Sequence, residues 1–451
     1  MTTKRSGSAT KPAHDPARDA PTDQAAAQAA QPTQPEQSEQ PEQSEPSAHP
    51  VPPVALYVHV PFCVSLCPYC DFVVVAGAAA RGPSNRIALF AAALETEIGL
   101  RADALDARFG PPGSAGRPAL DTVYLGGGTP SRLGGPGVAS TLAAIRERAT
   151  LSPGAEVTIE ANPDDVNDIA VTQWLAAGVN RISLGAQSFD ANVLEWMHRT
   201  HDASQIARAV KAIRRGGIDN ISLDLIFALP AHLNRNWKTD VDRALALSPA
   251  HVSLYGLTVE DHTPIARWAD RGAIVEGSEE QYEEEFLYAN ETMSAVGFEH
   301  YEVSNFSLPG KSSRHNSAYW TGASYAGVGP SAHSFDGAAR RWNVVAYAEW
   351  VRRLSNSEPT LGGEEFLTDE NRDAEQVYLG LRTRNGLEIG EAEVSVAELW
   401  RSAGWAEVQS NRIVLTPTGW LRLDSLAADL AARRSNQRTA SLGATPSHCY
   451  I

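Results

Sequence analysis

Tyr57-Val-His-Val-Pro-Phe-Cys63-Val-Ser-Leu-Cys67-Pro-Tyr-Cys70-Asp-Phe72 is the stretch from which the rest of the chain is read. The apolar run Ala55–Val60 reads as a short strand, and the proline after it turns the chain into a loop. That loop carries three of the four cysteines, separated by three and then two intervening residues. Thiols crowded on one short loop are poorly placed to bridge distant parts of a fold, and metal ligation in a reducing compartment suits them better. Three thiolates at this spacing wrap three corners of a cubane [4Fe–4S] cluster and leave the fourth iron without a protein ligand. A zinc site is the alternative, but structural zinc closes with four ligands, and only Asp71 or His59 lies near enough in sequence to be the fourth.

Outward from this loop, short apolar runs alternate with amphipathic stretches, the pattern of repeated β/α units on a parallel sheet. Strands are expected at Ala55–Val60, Thr122–Leu125, Glu156–Ala161, Arg181–Leu184, Asn220–Ile226 and Val252–Leu257. Helices are expected at Arg86–Leu105, Val138–Arg148, Val166–Ala177, Ala203–Arg215, Trp237–Leu247 and Glu283–Val296. Six units fall short of the eight of a closed barrel, so the α/β fold class is a partial (β/α)6 TIM-like barrel over residues 54–300, with its chemistry where the strands end.

The cysteine segment resembles the radical S-adenosylmethionine (SAM) superfamily. Its Tyr57-Val-His-Val-Pro-Phe-Cys63 lead-in is similar to the coproporphyrinogen dehydrogenase/HemW group, and the likeness runs from about Leu56 to Leu430. The resemblance implies that SAM binds the vacant iron through its amino and carboxylate groups. One electron passed to the sulfonium then releases a 5′-deoxyadenosyl radical. It also implies that Tyr57 sits against SAM and that Tyr69 packs near the adenine.

Further SAM contacts follow the later strands. In Leu125-Gly126-Gly127-Gly128-Thr129-Pro130-Ser131, the glycines let the backbone approach a ligand. The N–H groups there, Gly127 and Gly128 included, and the Thr129 hydroxyl suit the methionyl end of SAM. Glu160 ends the third strand, where a carboxylate accepts hydrogen bonds from the SAM amine or ribose, the role the resemblance assigns it. Gln187, Arg199 and Asp224 also match the pattern. In the related dehydrogenase, these three positions serve a second SAM molecule. Asp224 interrupts an apolar strand, so it either faces a polar cavity or forms a buried ion pair with Arg199.

Two functions fit this group. The first is a haem chaperone that delivers haem, its cargo, to an acceptor haemoprotein, with an electron donor such as flavodoxin or ferredoxin. The alternative is an oxygen-independent coproporphyrinogen III dehydrogenase, a radical enzyme of porphyrin biosynthesis that decarboxylates propionate side chains. The dehydrogenase pattern has a further cysteine where this chain has Phe72, and a folded N-terminal segment where this chain has a low-complexity tail. Both departures favour the chaperone. So does His315-Asn-Ser-Ala-Tyr319-Trp320, which resembles the HemW pattern H-N-x-x-Y-W and makes His315 the candidate haem ligand, with Tyr319 and Trp320 for the macrocycle's faces. Read from the residues alone, His315 is better taken as a structural histidine packed beside core aromatics, and only the resemblance makes it a candidate ligand. His333 is a weaker second candidate ligand.

The chain has 451 residues, 43% of them hydrophobic, enough for a large core. A formal net charge of -16 repels nucleic acid and anionic membranes. No apolar run reaches the roughly 18 residues of a membrane span. The polar N-terminal region has no secretory h-region, so the expected location is cytoplasmic, with no integral membrane insertion and no nucleic-acid partner. Residues 1–53, rich in Ala, Gln, Pro and Ser, read as a disordered tail. Residues 301–366 read as a linker region holding the histidine motif. Residues 367–432 read as a winged-helix-like domain, with helices at Asp369–Leu381, Glu393–Ala403 and Pro417–Leu430 and a strand at Arg412–Leu415. Residues 433–451, Cys449 among them, read as a loose tail.

Overall fold

The computed structural model describes residues 49–76 and 86–443. The tail up to residue 48, residues 77–85 and Cys449 lie outside the described residues. Six parallel strands follow one another in space as in sequence: β1 (Ala55–Val60), β2 (Leu120–Gly127), β3 (Leu151–Ala161), β4 (Arg181–Gln187), β5 (Ile221–Phe227) and β6 (His251–Gly256). The longer helices between them are α1 (Arg86–Phe109), α2 (Gly134–Arg148), α3 (Asp168–Ala176), α4 (Ala203–Arg215) and α5 (Trp237–Ala246), with α6 (Glu279–Ala295) after β6. This is the expected partial barrel.

Each strand is two-faced, because successive side chains point to opposite sides. Leu56, Val58 and Val60 of β1, Val157 and Ile159 of β3, and Leu223 and Leu225 of β5 are buried in one apolar core with the helices. The alternate residues face inward and are polar. Tyr124 bonds Glu160, Ser183 bonds Asp224, and Ser222 bonds His251 across the interior. The helices start where side chains satisfy their free N–H groups: Asn167 caps α3, and Asp202 with Gln205 forms a capping box on α4.

The sheet extends well beyond the six strands. The segment expected as a linker contributes β7 (Glu299–Glu302), β8 (Asn305–Ser307), β9 (Tyr325–Val328), β10 (His333–Phe335), β11 (Ala339–Asn343) and β12 (Leu361–Phe366). Among the described residues the sheet has twelve strands, in the order β12-β11-β10-β9-β1-β2-β3-β4-β5-β6-β8-β7. Strand β9 is parallel to β1, and the others added at either end are antiparallel. These strands escape an apolar-run reading because they are short and charged. Ala339-Arg-Arg-Trp-Asn343 and Leu361-Gly-Gly-Glu-Glu-Phe366 pair at an exposed edge, where charge is favoured over hydrophobicity. The short helix α7 (Arg314–Trp320) lies between β8 and β9 in sequence and packs against β2.

The C-terminal part comprises α8 (Asp369–Arg382), α9 (Val394–Ser402) and a three-stranded sheet of β13 (Leu387–Glu388), β14 (Ala406–Gln409) and β15 (Arg412–Leu415). The expected last helix is interrupted after Trp420 and resumes as α10 (Leu423–Gly443), which runs into the stretch read as loose. Ion pairs of Arg434 with Glu393, and of Arg438 with Asp369 and Asp373, tie that extension down. The Trp420 indole donates to Leu381 O and packs edge-on against His300, which stacks on Phe306 of β8. The module is thereby fixed to the sheet.

Candidate functional site

The cysteine loop leaves β1 at the C-terminal end of the parallel strands. Phe62–Cys63 pairs with Val75–Ala76, and His59 Nε2 bonds Val73 O at 2.9 Å, so both ends of the loop are held. Cys63, Cys67 and Cys70 line one wall of a cavity of about 470 Å³. The Thr129 hydroxyl donates to Cys63 Sγ at 3.5 Å, and Arg199 Nη1 lies 3.6 Å from Cys67 Sγ. Burial raises the Cys63 thiol above its ordinary range and pushes Cys70 up to about 12. Among the described residues, no three His, Cys, Asp or Glu side chains converge on a single-ion site. Three soft thiol donors in one cavity wall suit the corners of an iron–sulfur cluster.

The glycine turn forms the neighbouring wall. Gly127 has φ +109°, and a Cβ there would stand 2.5 Å from the His59 ring; at Gly128 it would stand 2.9 Å from the Val60 carbonyl oxygen. Both positions therefore require glycine. Gly127, Gly128 and Thr129 all line the cavity, with their backbone at the strand end. Glu160 faces it too. Its carboxylate accepts from the Tyr124 hydroxyl at 2.8 Å and the Gly127 N–H at 3.0 Å, while burial lifts its pKa to about 7.

Gln187 sits at a bulge in the pairing of β4 with β5, with φ +64°. The bulge turns its amide toward the cavity, and its Oε1 is buried without a protein partner. An orphaned acceptor in the cavity wall is what a ligand with amine or hydroxyl donors would complete. Arg199 and Asp224 both line the cavity and are not paired with each other. Arg199 donates to Asn162 Oδ1 at 2.6 Å and Gly185 O at 3.0 Å. Asp224 accepts from Ser183 at 3.0 and 3.1 Å and from Ser222 at 3.3 Å, and burial raises its pKa.

Tyr69 lines the cavity. Tyr57 lies beneath it instead, stacked on Tyr124 and His315 with its hydroxyl 3.2 Å from His59 Nδ1. His315 is placed inside the barrel, 1% exposed, stacked 5.0 Å from Tyr124. Its Nδ1 is 2.7 Å from the Thr122 hydroxyl and its Nε2 is 2.9 Å from the Tyr319 hydroxyl, so neither ring nitrogen is free. Burial lowers its pKa to about 3. Trp320 lies under the Arg382 guanidinium at 4.1 Å, with its indole N–H buried and unpartnered. His333 is exposed and stacks on Trp342.

Several residues of the site escaped the motif reading. Tyr124 holds Glu160, Asn162 holds Arg199, and Ser183 holds Asp224. The signal was present as period-two polarity inside otherwise apolar strands: Arg181 and Ser183 in β4, Ser222 and Asp224 in β5, His251, Ser253 and Tyr255 in β6.

With this geometry in place, known proteins give the lineage. The family model described as the radical SAM superfamily matches residues 57–244. The haem chaperone HemW of Mycobacterium tuberculosis (strain CDC 1551 / Oshkosh) is 36% identical over 384 residues, covering 84% of this chain and 95% of that protein. The haem chaperone HemW of Lactococcus lactis subsp. lactis (strain IL1403) is 33% identical, covering 76% of this chain and 84% of that one. Among solved structures, coproporphyrinogen III oxidase (HemN) from Escherichia coli, a radical SAM enzyme, superposes with a TM-score of 0.69 at 21% identity, over 85% of this chain and 91% of that one. That likeness establishes a shared fold. Radical SAM proteins carry a [4Fe–4S] cluster and SAM by family, and on sequence identity and coverage this chain belongs to the HemW family of radical SAM haem chaperones.

Proposed function

We propose that this protein takes up haem and, using a [4Fe–4S] cluster on Cys63, Cys67 and Cys70 together with SAM, delivers it to an acceptor haemoprotein. The observation that carries this reading is the site around the cysteines: a radical SAM cavity whose loop ends in Phe72, 62% exposed, where the dehydrogenase pattern has a further cysteine. The coverage of HemW relatives over most of the chain supports it.

In this reading Tyr69 packs the adenine and Gly127, Gly128 and Thr129 hold the methionyl end. Glu160 and Gln187 accept hydrogen bonds from the SAM amine and ribose, while Arg199 and Asp224 set the charge at the far wall. The bound cluster supplies one electron, received from a donor such as flavodoxin or ferredoxin. A cytoplasmic location belongs to the same proposal; no helix among the described residues is long and apolar enough to cross a membrane.

The test is anaerobic. Reconstituted protein is given coproporphyrinogen III, SAM and reductant, and in parallel is titrated with haem and mixed with an apo-haemoprotein. The chaperone reading expects a Soret shift and haem transfer without decarboxylation. Formation of protoporphyrinogen would assign the dehydrogenase activity instead.

A further inference from the structure

A second cavity, of about 600 Å³, is lined by the end of α7, by β9, β10 and β11, and by the C-terminal module. Its size lies within the roughly 300–1,000 Å³ of cofactor pockets. The barrel side presents a cluster of rings: Tyr319 meets Tyr325 edge-on at 4.7 Å and Trp320 at 6.3 Å, and Tyr325 lies 6.2 Å from Phe335. Four arginines border these rings: Arg382 covers Trp320, and Arg372 is held on the carbonyl oxygens of Gly337 and Leu367, which leaves Arg340 and Arg412. Arg340 lies 5.6 Å over Phe335 and pairs with Glu375; Arg412 approaches from the start of β15. Arg412 bonds the carbonyl oxygens of Asn385 and Gly386 at 3.2 and 2.9 Å, and its exposed guanidinium has no carboxylate partner among the described residues.

Aromatic walls with a free cation at the rim suit a flat apolar macrocycle that carries carboxylates. No histidine lines the cavity. His315 belongs to the same helix as Tyr319 and Trp320, but its ring is sealed in the barrel interior with both nitrogens engaged. Tyr325 does line the cavity, and its phenol stands beside the Arg340 guanidinium. Phenolate oxygen is an established ligand of ferric haem.

Resting on the haem reading above, we infer that this second cavity is the haem site, that the Tyr325 oxygen ligates the ferric iron with Arg340 beside it, and that Arg412 receives a propionate. On binding, the Tyr325 phenol gives its proton to solvent, the phenolate oxygen forms the bond to iron, and the water or anion previously on that face leaves. No electron moves. Burial raises the Tyr325 pKa and the Arg340 guanidinium beside it opposes that rise, so Arg340 is a positioning residue that favours the phenolate without touching iron. Tyr319, bonded to His315, holds the ring wall in place.

The experiment is a ferric haem titration of the full chain, followed by visible absorption and by resonance Raman with excitation in the phenolate-to-iron charge-transfer band. Wild type is expected to show phenolate ring modes, a measurement that needs no variant to fold. Tyr325→Phe should lose them, and Arg412→Glu should weaken haem binding roughly tenfold while keeping them. Wild-type haem complex without phenolate modes, or a Tyr325→Phe complex that retains them, overturns the assignment and leaves haem binding intact. A wild type that takes up no haem ends the haem reading itself.

Discussion

The Tyr124 hydroxyl donates to Glu160 Oε1 across 2.8 Å, and with the Gly127 N–H it aims the carboxylate at the cavity where SAM is proposed to bind. Burial nevertheless lifts the Glu160 pKa to about 7. A cationic ligand favours the ionised carboxylate, so binding should release a proton near neutrality. We expect SAM affinity to rise as pH increases toward about 7 and to level off above it. Equilibrium dialysis across pH 5.5–8.5 checks this, and Glu160→Gln should flatten the profile; a flat wild-type profile contradicts it. The stability linkage has the opposite sign. The folded protein holds this proton more tightly than the unfolded chain, so its contribution is full below the ordinary carboxylate pKa and is lost as pH rises through about 7.

Arg181 bears on the same carboxylate. It starts β4, is 1% exposed, and its Nε finds no hydrogen-bond partner among the described residues. Its charge acts to lower the pKa of both Glu160 and Asp224. Arg181→Met should therefore displace the SAM-affinity profile to higher pH. An unshifted profile in a folded variant would show that Arg181 serves packing alone.

Replacing Cys63, Cys67 and Cys70 together by Ser should leave a folded chain without iron or sulfide. Serine has no soft thiolate for the cluster, while the core that carries the barrel lies elsewhere. Iron and acid-labile sulfide analysis of anaerobic material decides the matter. Wild-type protein that held zinc in their place would refute the cluster.

Gly127→Ala is expected to damage the cysteine loop from a distance. At φ +109° the new Cβ is strained, a cost of about 1–3 kcal/mol, and it meets the His59 ring. That ring holds Val73 O, one end of the cysteine loop. Lower cluster occupancy and weaker SAM binding should appear together with a reduced Tm. Wild-type cluster content in this variant would break the proposed link.

Glu97 predicts a purely structural loss. It is 1% exposed and accepts from Gly329 N, Asn343 Nδ2, Trp350 Nε1 and Thr360 Oγ1 at 2.6–3.0 Å. Glu97→Leu strands these buried donors, at about 3 kcal/mol or more in total. Denaturant unfolding should show that loss, and Glu97→Gln, which keeps one acceptor oxygen, should be milder. Equal stability of Glu97→Leu and wild type would contradict this account.

The cysteine loop, the glycine turn and the six parallel strands were legible because each is a local pattern. Cys63, Cys67 and Cys70 sit on one loop, Gly126-Gly127-Gly128 make one turn, and apolar runs such as Ile221–Phe227 announce buried strands. The strands from β7 to β12 were not legible, because short charged segments gain their pairing from neighbours far away in sequence. Trp342 faces Gly363, and Arg341 faces Glu364, and neither stretch reads as a strand on its own.

Chemistry depended on the same division. The sequence by itself determined which residue types were available to the cluster and to SAM, since ligand chemistry resides in side chains and their spacing. Tertiary structure alone decided which way they face. It buried His315 between Tyr124 and Tyr319 with both nitrogens bonded, separated Arg199 from Asp224, and brought Tyr325 and Arg340 together at a second cavity. The reason is physical: a polar side chain inside a barrel takes the partner that closure of the sheet places beside it, and that neighbour comes from a distant part of the chain.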